Sequence, residues 1–227
     1  MYGMTQKRSL VTGEYYHIYN RSAHKVGLFR ERADWQRLLF AVLYFQSPTL
    51  FQNVRRLANT FDPKLGFVVN EADFSHVFQG RGIELVSFCL MPNHYHLIIR
   101  EIREGAVAAY MQRVSDSYTR YFNIKYEVSG HVFQGRYQSV HIKDDRQLLY
   151  LSAYIHRNPR ELRAWKDKEH EYPWSSLRDY TVENRWGGLL APEIILDQFE
   201  GSKQSNYADF VKTSTAKILE DELELNP

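Results

Sequence analysis

Met91-Pro92-Asn93-His94-Tyr95-His96-Leu97-Ile98-Ile99 is the stretch on which the reading of this chain turns. Pro92-Asn93 is a turn dipeptide. Before it, Ile83 to Leu90 is apolar and rich in β-favouring residues, so the two flanks read as a hairpin. Side chains alternate along a strand, so His94 and His96 point one way and Tyr95 points the other, into whatever the sheet covers. Two imidazoles side by side on a rigid strand end make half of a metal site. The same spacing also suits ordinary half-buried histidines, so the pair needs a third group to mean anything.

Outward from the hairpin, the pattern repeats on both sides. Tyr15-Tyr16-His17-Ile18-Tyr19 reads as a first strand, and Asp34 to Gln46 as a helix with Trp35, Leu38, Leu39, Val42 and Phe45 at mixed three- and four-residue spacing. Residues 47–82, with Pro48, Pro63 and three glycines, read as an irregular insertion holding a short helix near Val54–Ala58. After the hairpin, Gly105 to Tyr126 carries a buried stripe of Val107, Met111, Val114, Tyr118 and Phe122. Tyr137–Ile142 reads as a fourth strand. Asp144-Asp145 opens a third helix with carboxylates in its first turn, and Pro159 ends it. The order is β-α-β-β-α-β and then a helix: an α+β class, a ferredoxin-like core with an antiparallel sheet, an added C-terminal helix and an appended tail. The hexapeptide at 76–81 recurs at 131–136, but the flanks differ and no duplicated domain is implied.

Composition bounds the function. The 227 residues are enough for one good core and an appendage. The longest apolar runs fall far short of a membrane span, and Met1 to Leu10 has no apolar signal core. The single cysteine, Cys89, excludes an internal disulfide and a multi-cysteine zinc site, so a cytoplasmic location is expected. The overall charge of +2 conceals a split: residues 1–165 carry +8 and residues 166–227 carry −6. A basic body suits an anionic partner. The chain therefore divides into a domain over 1–165, with its insertion, and an acidic extension over 166–227 that is expected to be dispensable for chemistry.

On the third helix, Leu148, Leu151 and Ile155 form the apolar stripe, while Tyr150, Tyr154 and Asn158 lie at i, i+4, i+8 on a separate face. Both tyrosines could simply pack at the core edge with wet hydroxyls. If this face meets the strand of His94 and His96, however, two imidazoles and the Asn158 amide oxygen could hold a divalent ion with a tyrosine oxygen beside it.

Five segments, Tyr15 to Arg21, Met91 to Leu97, Ser117 to Asn123, Gly135-Arg136-Tyr137 and Tyr154-Ile155-His156-Arg157-Asn158-Pro159, together with Tyr172-Pro173-Trp174-Ser175-Ser176, resemble the single-tyrosine HUH transposases. Within that family the chain is most similar to the REP-associated tyrosine transposases. The matches run through residues 11–180 in the family's order. The resemblance implies that His94, His96 and Asn158 are the metal ligands, that Tyr154 is the nucleophile, and that Mg²⁺ or Mn²⁺ is the metal, with no organic cofactor. It implies cleavage of single-stranded, hairpin-forming DNA such as repetitive extragenic palindromes, through a 5′-phosphotyrosine and a free 3′-OH, with rejoining elsewhere. Two features depart from the family pattern: Tyr95 replaces a plain apolar residue, and the 47–82 insertion is long. Related enzymes are swapped dimers and this branch is monomeric, so both a monomer and a homodimer are open. Arg113, Arg120, Arg136, Lys143, Arg157 and Arg160 are candidates for phosphate contacts. Two rivals stand beside the transposase reading: a non-cleaving regulator that binds hairpin repeats, and a relaxase- or replication-initiator-type nuclease that uses Tyr150 with Tyr154.

Overall fold

The computed structural model describes residues 10–23, 27–48 and 51–215. The segment 1–9 read for a signal and the acidic residues from 216 onward lie outside them. A four-stranded antiparallel sheet forms from β1 (Tyr15–Arg21), β2 (Ile83–Met91), β3 (His94–Glu101) and β4 (Gln138–His141), in the order β2-β3-β1-β4. With α1 (Arg32–Tyr44), α4 (Ala106–Tyr126) and α5 (Asp145–Arg157), the mixed α+β class with an antiparallel sheet is as expected. Two short helices, α2 (Val54–Ala58) and α3 (Glu71–Gly80), fill the insertion. The second was not expected. Its signal, Phe74, Val77 and Phe78 at i, i+3, i+4, is masked by the glycines that end it. No helix among the described residues is long and apolar enough to cross a membrane.

The hairpin turns tightly at Pro92-Asn93, with Met91 opposite His94. One face of β3 presents Tyr95, Leu97 and Ile99, all buried, towards α4 and its stripe of Val107, Met111, Val114 and Tyr118. Tyr95 meets Phe133, which also packs on Tyr118. The other face presents His94 and His96 towards α5, which packs on β2 and β3. A bulge at Val86 shifts the register of β2, so that Ser87 pairs with Ile98 and faces α5 instead of α4. Ser87 then reaches His156 at 3.2 Å.

The Asp144 side chain caps α5 by accepting from Gln147 N–H at 2.7 Å. The far end differs from expectation. Asn158 precedes a proline yet keeps helical dihedrals (φ −49°, ψ −40°), and the chain tightens into a 3-10 turn over Asn158–Glu161. Pro159 has no N–H to continue the α-helical ladder, and the Asn158 N–H falls back on Ile155 O.

The charge boundary at 165 is not a packing boundary. Residues 174–176 pair along the outer edge of β2: Leu90 N–H donates to Trp174 O at 2.9 Å, and Ser176 N–H donates to Phe88 O at 3.0 Å. Farther on, Ala191 N–H donates to Leu85 O and the Tyr180 hydroxyl donates to Val86 O. Short helices α6 (Leu177–Thr181) and α7 (Glu193–Leu196) and the longer α8 (Lys203–Thr213) complete the layer. Tyr172, Tyr180, Trp186 and Tyr207 are buried in the same core as the sheet. An edge strand that would otherwise offer open backbone groups is thereby covered.

The two copies of the hexapeptide take different structures. Residues 76–81 close α3, whereas 131–136 form a loop beside β1, where Gln134 N–H donates to Arg21 O.

Candidate metal and nucleophile site

α5 lies with Tyr154 and Asn158 facing β3, so four residues singled out from the sequence meet. The Asn158 Oδ1 stands 3.3 Å from His94 Nε2, the His94 and His96 ring centroids are 5.0 Å apart, and the Tyr154 ring is edge-on to His96 with centroids 5.7 Å apart. Tyr150, one turn earlier, goes elsewhere: its ring packs on Phe210 of α8 at 5.2 Å and under the Arg146 guanidinium. The two tyrosines share a helical face, but the turn between them separates their surroundings.

Each imidazole is oriented by a neighbour. Asn93 Oδ1 lies 2.7 Å from His94 Nδ1, and the tautomer that donates from Nδ1 to this turn residue presents its Nε2 lone pair to Asn158. Asn158 donates through Nδ2 to Tyr154 O at 2.9 Å, which turns its Oδ1 towards His94. In that tautomer two acceptors face each other at 3.3 Å. That confrontation costs energy when nothing lies between them, and a cation removes the cost. Two ligands about 2.1 Å from one ion and at right angles stand about 3 Å apart, close to the spacing found.

His96 is held by a residue that sequence reasoning missed. His17 Nε2 lies 2.8 Å from His96 Nδ1, and the two rings stack with centroids 5.1 Å apart. Tyr19 pairs with His96 across the strands. The signal was present in the alternation Tyr15, His17, Tyr19, but which strand would lie beside β3 is a matter of topology. Burial pushes His17 down to about 4. Burial, then the neighbouring His17 and His94, pushes His96 well below the ordinary histidine range. Both rings are therefore neutral at pH 7, the form that binds metal. Burial first, then Glu161 and Tyr19, raises the Tyr154 phenol above its ordinary value, so the free hydroxyl is protonated.

His17, Tyr19, His96, His141, Gln147 and Tyr154 line a cavity of about 280 Å³ between the sheet and α5. Among the described residues, no group of three or more His, Cys, Asp or Glu side chains is placed to hold a metal ion. A metal here requires the Asn158 amide, and the facing lone pairs of His94 and Asn158 fit one.

The six basic candidates divide. Arg113 donates to Phe45 O at 2.9 Å, beside the end of α1. Arg157 donates to Val211 O at 2.7 Å and Lys212 O at 3.2 Å on α8, and Arg160 pairs with the buried Glu169. These three guanidiniums are engaged within the protein. Arg120, Arg136 and Lys143 are exposed.

Residues 64–158 match the family model described as "Transposase IS200 like". The matched span contains His94, His96, Tyr154 and Asn158 and leaves out His17. Among solved structures, a REP-associated tyrosine transposase bound to a REP hairpin superposes with a TM-score of 0.52 over 88% of this chain and 96% of that one, at 13% identity. No curated protein matches the chain. The resemblance read from the sequence is thus borne out, for the family by the matched span and for the fold by the superposition.

Proposed function

We propose that this protein is a divalent-metal-dependent, single-strand-specific DNA endonuclease and strand transferase, acting on hairpin-forming DNA through Tyr154. The observation that carries this reading is the juxtaposition of Tyr154 with His96, and of Asn158 with His94, across the α5–β3 interface. His94, His96 and Asn158 would hold Mg²⁺ or Mn²⁺. When bound, the ion offsets the charge that grows on a scissile phosphate and favours the phenolate form of a nearby tyrosine.

The protein's own groups supply the rest. Tyr154 Oη attacks phosphorus, forming the tyrosine–phosphate bond as the bond to the 3′ oxygen breaks. The phenolic proton ends on that oxygen, giving a 5′-phosphotyrosine and a free 3′-OH. The phosphoester is conserved, so another 3′-OH can reverse the step and join strands. His17 and Asn93 keep the two imidazoles aimed. The hairpin substrate is inferred from the solved relative's REP hairpin, and a cytoplasmic location from DNA as substrate and the single cysteine. Tyr150, turned towards α8, lies away from the cavity that Tyr154 enters, which favours the one-tyrosine reading over the two-tyrosine one.

The test is incubation of the protein with end-labelled single-stranded hairpin DNA and Mn²⁺, followed by denaturing electrophoresis. A covalent adduct that needs both the metal and Tyr154 is expected. Specific binding without any adduct, across metals and hairpins, would leave a non-cleaving hairpin binder instead.

A further inference from the structure

No lysine or arginine lines the cavity that Tyr154 enters, yet attack on a phosphate builds negative charge there. A fixed cation stands one strand away. Arg21 closes β1 and pairs with His94 across the β1–β3 ladder. Residues directly opposite in a ladder project to the same face, so Arg21 shares the face of His94 and His96. Ser22 N–H donates to Asn93 O at 2.8 Å, which makes the next pair along, Arg21 with His94, a non-hydrogen-bonded one. In that class the facing Cβ atoms stand about 4.5–5.5 Å apart.

The guanidinium is oriented but not used up. Its Nε donates to Gln134 Oε1, its one side-chain bond among the described residues, and Arg21 is exposed. The two terminal nitrogens are left as a flat fork, the shape that suits phosphate oxygens. Arg113, Arg157 and Arg160, by contrast, are engaged within the protein. The loop that supplies Gln134 is the second copy of the hexapeptide. It is pinned to the end of β1 at three points: Gln134 N–H donates to Arg21 O at 2.8 Å, Ala23 N–H to Val132 O at 2.8 Å, and the buried Asn20 Nδ2 to Gly135 O at 3.2 Å. Gly135, at φ +68°, takes the left-handed turn that this loop needs. The 131–136 segment thus holds one arginine beside a metal-ligand candidate.

We propose that Arg21 is a catalytic residue of the cleavage reaction, donating from its terminal nitrogens to the non-bridging oxygens of the scissile phosphate, and that Gln134 is the residue that positions it. This rests on the cleavage reading above and adds a group to it. His94, His96 and Asn158 include no carboxylate, so an ion held by them keeps its full positive charge. The ion and the guanidinium then meet the same phosphate from adjacent strands and oppose the charge that grows as Tyr154 attacks.

The test is single-turnover adduct formation by the full chain with Mn²⁺, at saturating protein, on an end-labelled hairpin that the unmutated protein cleaves. Arg21→Ala should slow adduct formation by roughly 10²–10³-fold, the cost of losing one donor aimed at developing charge, while hairpin affinity falls only a few-fold. Arg21→Lys keeps the charge without the fork and should recover part of the rate. Gln134→Leu frees Nε and should lose part of it. Arg21 is exposed, so thermal midpoints should stay close to that of the unmutated protein. If Arg21→Ala nevertheless fails to fold, Arg21→Gln, which keeps most of the side chain, is measured in its place and read the same way. An unchanged rate at saturation, or a loss confined to affinity, overturns the proposal and leaves the cleavage reading standing. If the unmutated protein forms no adduct on any hairpin, both fall together.

Discussion

At the scale of single residues, Tyr154 and Tyr150 pose the sharpest question, because one helical turn separates a nucleophile from a packing residue. Tyr154→Phe keeps the ring against His96 and removes only the attacking oxygen, so folding should barely change. Covalent adduct should vanish while hairpin binding persists. Tyr150→Phe keeps its contact with Phe210 and should still form adduct. Adduct lost only in the double variant would mean that either tyrosine can attack. His17 is the second test at this scale. Its ring nitrogen sets which atom of His96 carries the proton. His17→Ala should raise the Mn²⁺ concentration needed for half-maximal adduct by about 10–100-fold, the usual cost of losing a partner that orients a ligand. An unchanged Mn²⁺ requirement would show that His96 is placed by its strand alone.

At the scale of elements, one carboxylate joins α1 to α4. The buried Asp34 accepts from Arg30 N–H at 2.8 Å, Glu31 N–H at 3.1 Å, the hydroxyls of Tyr121 and Tyr126 at 2.8 and 2.6 Å, and Lys125 Nζ at 2.6 Å. It opens α1 as a capping-box residue and ties that end to the last turns of α4. Burial by itself would raise its pKa, but the hydrogen bonds from Lys125, Tyr126, Arg30 N–H and Tyr121 outweigh it and hold the carboxyl below its ordinary value of 3.8. A lowered folded-state pKa binds fewer protons than the unfolded chain. The stability it contributes is therefore complete above about pH 4 and is lost as pH falls through the lower folded value. Asp34→Asn should lower stability by roughly 2–3 kcal/mol at neutral pH. Urea midpoints of the two proteins should converge as the pH is lowered through and below about 4. A gap that stays constant across that range would deny the carboxylate this role.

At the scale of the whole molecule, charge and packing divide the chain differently. The acidic region begins where the net charge changes sign, yet its residues 174–191 cover the edge of β2 and fill the sheet's core. His156 of α5 is bonded to Ser176 Oγ at 2.8 Å and lies beside the Tyr207 hydroxyl at 2.5 Å, so this region also holds the helix that carries Tyr154. A 1–165 fragment should lack a cooperative thermal transition and aggregate through the bared edge. A soluble, cooperatively folding fragment that still forms adduct would show that the division by charge is also a division of function. Binding of single-stranded DNA by the full protein should weaken linearly in log–log salt plots, by about 0.7 per neutralised phosphate. Affinity independent of salt between low and moderate concentrations would exclude the basic body as the binding surface.

Local rules were enough to read several of these pieces from the chain. Strand alternation paired His94 with His96, turn chemistry set the hairpin, helical spacing marked α4, and Asp144 with Pro159 bracketed α5. The family resemblance then named Tyr154 and Asn158. How the pieces face one another was decided by tertiary packing. The adjacency of β1 to β3 brings His17 against His96, a contact between residues 79 apart that no local period encodes. Internal hydrogen bonds and an ion pair engage Arg113, Arg157 and Arg160, although their charge reads the same in the sequence as that of the exposed Arg120 and Arg136. The identical hexapeptides at 76–81 and 131–136 show the reason most directly. Local sequence sets a preference, but burial of each segment against its particular neighbours outweighs it, so one becomes a helix end and the other a loop.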